Sequence, residues 1–162
     1  MSKIDSINFD RYKKAMVERF GFSEVERDSS WSDLMIILNA MEREPEKAFA
    51  LTVGADRALH GLLLDTMGHV QISQAVFGPG ALVIHDPFAY GTPEFVKAWE
   101  NTRAAFAAEG IELPVDWRSD AATPAGDRDA ESCFVAVHIT DAARNAEACL
   151  IAVKQAAEIS GV

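Results

Sequence analysis

Cysteine is scarce: the 162-residue chain has two, Cys133 and Cys149. Two cysteines do not make the disulfide framework of a small secreted scaffold, and thiols left reduced point to the cytoplasm. Long apolar runs are missing as well. No stretch approaches the ~18 residues that a membrane helix needs, and residues 1–10 are polar, without the apolar centre of a secretory signal. No membrane role is expected. Basic residues are few and unevenly placed. Fifteen Lys and Arg face 25 Asp and Glu, a net charge of −10, and no Lys or Arg lies between Arg57 and Lys97. A nucleic-acid binder displaces counterions with a basic stripe. None is visible, and the overall field repels phosphate. Metal-ligand spacings such as His-Glu-x-x-His or Cys-x-x-Cys do not occur. The aspartates of 116–129 do not follow the calcium-loop pattern. Gly78-Pro79-Gly80 lacks the Lys-Ser/Thr of a phosphate loop, and no dinucleotide fingerprint is present. The sequence therefore calls for no cofactor and no metal.

What is present is ordinary for a globular protein: 49% hydrophobic and 25% charged residues. A chain of this size buries about 69% of its unfolded surface. One domain over 1–162 is expected. A helix is predicted over 8–20, with Phe9, Tyr12, Met16 and Phe20 recurring at three or four residues, Asn8 as cap and Gly21 as stop. A second is predicted over 31–43, opened by the box-like pair Ser30 and Asp33. The segment 45–67 is read as two short helices meeting near Gly54. A strand pair turning at 54–57 stays open, because Phe49, Leu51 and Val53 alternate. Strands are expected over 70–77 and 81–86, parted by a turn with Pro79 and Gly80 at its centre. Thr92-Pro93-Glu94 opens a helix to 109, whose Phe95, Trp99, Thr102 and Phe106 share a face expected to be core. A short strand is entertained at 111–117, a firm one at 133–139, and a last helix at 141–159. The tetrads Leu82-Val83-Ile84-His85 and Val135-Ala136-Val137-His138 look alike. The expected fold is α+β, with a small, mainly antiparallel sheet of three to five strands covered by four or more helices.

Two constellations bear on function. Half of the net charge, −5, falls in 109–131, where seven acids face two arginines. Within it, 118–131 reads as a mobile acidic loop. Trp117 stands among Glu112, Asp116, Asp120, Asp127, Asp129 and Glu131. An aromatic anchor ringed by carboxylates suits a surface that meets a basic protein. The leading expectation is accordingly a non-enzymatic protein-binding module of the inhibitor, immunity or chaperone type. The alternative is a small cofactor-free enzyme with a strand-end histidine as general base. His85 or His138 would serve, drawn together if their strands are neighbours, with Asp86 or Tyr90 as orienting group. An oligomeric ligand-binding protein is the third. Cys133 and His138, five apart on one strand, face opposite ways and make no dyad, and Cys149 reads as packing. Ile151 and Ile159, on the polar side of the last helix, suggest a two-fold contact in a homodimer.

Overall fold

The computed structural model describes residues 2–87, 89–116 and 128–139. Five α-helices surround a three-stranded antiparallel sheet, an α+β fold. The elements run α1 (Asp10–Phe20), α2 (Glu24–Arg43), β1 (Phe49–Thr52), α3 (Val53–Leu63), α4 (Thr66–Phe77), β2 (Ala81–Asp86), α5 (Pro93–Ala108) and β3 (Ala130–Ile139). The sheet order is β1-β3-β2, so the strand latest in sequence lies in the middle.

Local chemistry explains most of the boundaries. α1 ends at Gly21, whose φ of 73° lets its amide and that of Phe22 turn back onto the carbonyls of Val17 and Met16. α2 starts two turns earlier than the Ser30–Asp33 pattern suggests. Ser23 and Glu26 form the capping box instead, Ser23 Oγ accepting from the Glu26 amide and Glu26 Oε2 from the Ser23 amide at 2.8 Å. Ser30 and Asp33 are interior helix positions and are buried. α5 begins as its sequence implies, with Thr92 Oγ1 accepting from the Phe95 amide and Pro93 in the first turn. Its Phe95, Trp99, Thr102 and Phe106 are all buried.

Three expectations are corrected. Segment 70–77 is not a strand but most of α4. Asp65 caps that helix by accepting from the Gly68 amide, and Ile72 and Val76, four apart, share a helical face as well as they would a strand face. The turn that follows does have the expected form, with Ala81 N–H on Gly78 O at 3.1 Å and Gly80 at φ 79°, but it joins a helix to a strand. Segment 45–67 holds β1, all of α3 and the first residues of α4. Thr52 ends β1 and caps α3 in the same residue, so Gly54 falls inside the first turn of α3 rather than at a break. Residues 111–116 form no strand. The chain there is strapped back along α5, with Ile111 N–H on Phe106 O and Trp99 Nε1–H on Pro114 O. The helix expected at 141–159 lies outside the described residues.

Side chains from two helices close the flanks of the sheet. On β1, Asn101 and Thr102 of α5 donate to the carbonyls of Ala48 and Ala50, at 2.9 and 2.7 Å. On β2, Ser73 of α4 accepts from the Val83 amide, and His69 Nε2–H donates to the Val83 carbonyl at 2.8 Å. Outer strand groups that would otherwise seek another chain are thus satisfied internally. The core between sheet and helices is built on Phe49, Leu51, Leu59, Val135, Leu34, Ile37, Trp99 and Phe106.

Candidate functional site

The register of the sheet decides which residues meet. His85 is opposite Val135, and Leu82 is opposite His138. The two look-alike tetrads are therefore antiparallel partners. Side chains alternate along a strand, so His138, three places from Val135, is on the other face of the sheet from His85. The pairing of these two histidines considered from sequence is not formed, and His138 is exposed. Asp86, adjacent to His85, also faces away from it. Tyr90 is 45% exposed and packs its ring 5.4 Å from that of Phe95.

Two places from Val135 in the other direction is Cys133, which shares the face of His85. The first turn of α3 lies against that face and brings Asp56 to both. Asp56 Oδ1 accepts from His85 Nε2 at 3.2 Å and from the Cys133 thiol at 3.0 Å. Its other oxygen, Oδ2, is 3.2 Å from Nδ1 of His60, one helical turn along α3. The His60 and His85 rings meet edge to face, with centroids 5.4 Å apart. Asp56 and Cys133 are buried, at 8% and 2% exposure, and His60 is open to solvent.

Burial alone would raise the Asp56 carboxyl. The hydrogen bonds from His85 and Cys133, with the charges of His60 and His85, outweigh it and hold the group below the usual carboxylate range. Its place in the first turn of α3, near the positive end of the helix dipole, acts in the same sense. Asp56 is positioned by the tight junction before it. Thr52 Oγ1 accepts from the Ala55 amide at 3.1 Å and donates to buried Asp33 Oδ2 at 3.2 Å. The Val53 amide donates to Asp129 O. His60 also lines a cleft of about 510 Å³ with Phe20, Phe22, Leu63, Leu64, Gly61 and Arg57. Phe20, the last member of the α1 apolar repeat, is 47% exposed on this cleft.

Sequence reasoning singled out His85, passed over Asp56 and His60, and rightly rejected a Cys133–His138 dyad without finding that Cys133 shares the face of His85. The available signal was the Asp56–His60 spacing of four, which puts both on one helical face once 53–63 is read as a single helix. Of the acidic surface, Glu112 and Asp116 are exposed and Asp129 is half-buried. Trp117, Asp120 and Asp127 lie outside the described residues, as do Cys149, Ile151 and Ile159, and the side chain of Glu131 is not described either. Among the described residues, no helix is long and apolar enough to cross a membrane. Comparisons with family models, curated proteins and solved structures give no match to this chain.

Proposed function

We propose that the protein is a small hydrolytic enzyme acting on compact, largely apolar esters, with His60 as its general base. One observation carries this reading: His60, backed by the buried carboxylate of Asp56, stands on the wall of an apolar cleft. A carboxylate on Nδ1 fixes the tautomer and leaves Nε2 to take a proton from water or a substrate group. Phe20, Phe22, Leu63 and Leu64 supply an apolar wall for the substrate, and Arg57 adds a cation to the same lining. The histidine in this role sits on a helix rather than at a strand end, but the chemistry is the base catalysis weighed from sequence. A reducing compartment such as the cytoplasm suits a buried thiol beside the pair.

The test is turnover of a panel of small aryl esters by the wild type, His60→Gln and Asp56→Asn, with folding checked by circular dichroism. A general base contributes ~10²–10⁴-fold, so His60→Gln should lose at least ~10²-fold in kcat. Absence of turnover across the panel, or turnover indifferent to His60, overturns the reading.

A second reading is a basic protein partner held at the acidic surface. The net charge of −10 and the exposure of Glu112 and Asp116 favour it. Such a contact would weaken as salt rises.

A further inference from the structure

We propose that Asp56, His85 and Cys133 form a binding site for one divalent transition-metal ion of the zinc class. As a cofactor assignment this deepens the hydrolytic reading and rests on it; the binding itself is measured separately.

Asp56, His85 and Cys133 each offer one donor atom, all within 4.8 Å of one another, and Asp56 Oδ1 is in contact with both His85 Nε2 and Cys133 Sγ. They come from three elements, α3, β2 and β3, and are held by the sheet register and by the Thr52 cap. A tetrahedral ion with bonds of ~2.0–2.3 Å sets its donors roughly 3.3–3.6 Å apart. The Asp56–His85 and Asp56–Cys133 separations, 3.2 and 3.0 Å, are within a fraction of an ångström of that range.

The electrostatics favour a cation between them. Asp56 and Cys133 are both buried. A carboxylate beside a thiolate would place two negative charges together in a poorly hydrated space. With the thiol protonated, its hydrogen is directed to Asp56 Oδ1, the contact observed. A dication replaces that proton and the one on His85 Nε2: the Cys133 S–H bond breaks, a sulfur–metal bond forms and the proton leaves to solvent, while the Nε2–H proton of His85 is exchanged through solvent to Nδ1, so that the Nε2 lone pair is free for the metal. The same like-charge argument disfavours Cys133 as a bare nucleophile, since Asp56 opposes formation of its thiolate. His60, on Oδ2 of Asp56, orients the carboxylate from outside, as groups behind metal ligands do.

The donor set selects the ion. Sulfur and imidazole nitrogen are poor partners for magnesium or calcium and good ones for zinc, cobalt(II) and iron(II). Three protein donors are the number found in sites that keep a position for water or substrate, whereas purely structural zinc sites use four. An ion here would act as a Lewis acid next to the His60 base.

The experiment titrates the reduced, metal-stripped full chain with cobalt(II). The expected result is one equivalent bound with Kd of about 1 µM or tighter, a sulfur-to-cobalt charge-transfer band in the near ultraviolet, and displacement of the band by zinc. Cys133→Ser should abolish the band, and Cys149→Ser should retain it. His60→Gln should weaken binding by about 10–100-fold. His138→Ala, on the opposite face of the sheet, should leave it unchanged. If Cys133→Ser does not fold, His85→Gln and protection of Cys133 from alkylation by zinc replace it. A folded, reduced protein that gives no charge-transfer band overturns the metal site. If His60-dependent ester turnover then persists in chelator, the hydrolytic reading survives without it. A bound ion with no turnover has the opposite meaning: the site stands and the hydrolytic reading fails.

Discussion

Replacing Thr52 with alanine should destabilise the protein by about 2–4 kcal/mol, because one hydroxyl serves two buried partners. Thr52 is fully buried. As helix cap it accepts from the Ala55 amide, and loss of such a cap costs ~1 kcal/mol. As donor it meets Asp33 Oδ2, and a buried acceptor deprived of a donor costs ~1–3 kcal/mol. Thr52→Ser keeps the hydroxyl and loses one buried methyl, ~0.8 kcal/mol. Urea denaturation of the three proteins measures both differences, with constant slope as the sign that the unfolding unit is unchanged. The serine variant should lie much closer to wild type than to alanine. Because the cap fixes the first turn of α3, and with it Asp56, the alanine variant should also bind cobalt more weakly at temperatures where it remains folded. Equal stability of the serine and alanine variants would refute the reasoning, since shape rather than hydrogen bonding would then govern the junction.

Two further predictions concern the frame around the site. Trp99, 1% exposed with its indole N–H on Pro114 O, should cost ~3–5 kcal/mol when cut to alanine, read as a shift in denaturant midpoint; an unchanged midpoint would mean that the α5 aromatic face is not core. His69 is held below its usual pKa by burial, against the opposing effect of its bond to Val83 O, and among the described residues its Nδ1 has no partner for a second proton. The unfolded chain therefore takes up that proton first, so the contribution of His69 to stability is present above ~6.5 and lost as pH falls below it. Comparing wild type with His69→Gln across that range should show the wild type losing its advantage on acidification, and parallel profiles would contradict this.

How much of this was readable in the sequence depended on whether the signal was local. α5 was legible almost to the residue, because cap, first-turn proline and aromatic spacing all lie within one segment. β2 and β3 were legible for the same reason. α4 was not: Val70, Ile72 and Val76 suit strand chemistry, and the competing cap at Asp65 is a single residue. The α2 start was misplaced because two box-like patterns occur seven residues apart, and only packing puts Ser30 and Asp33 inside the helix. The cluster around Asp56 was hidden for a stronger reason. Its contacts join residues 29 and 77 positions apart, and the parity of the β2–β3 register settles whether Cys133 or His138 shares the face of His85. A shift of one residue would have turned Cys133 away and brought His138 round.

The sheet order also sets when the site can exist during synthesis. β1 and β2 leave the ribosome early, the outward side of β2 met by the preceding α4 and that of β1 by α5 soon after, but they do not pair with each other. Their inward sides wait for residues 130–139, more than forty positions after β2 ends. Until that stretch is available there is no sheet, and Asp56 and His85 have no Cys133 beside them. Pairings that span so much sequence form slowly. The chain must therefore be made nearly to its last described residue before sheet and site appear together, and a ribosome stalled at any earlier codon holds helices with neither.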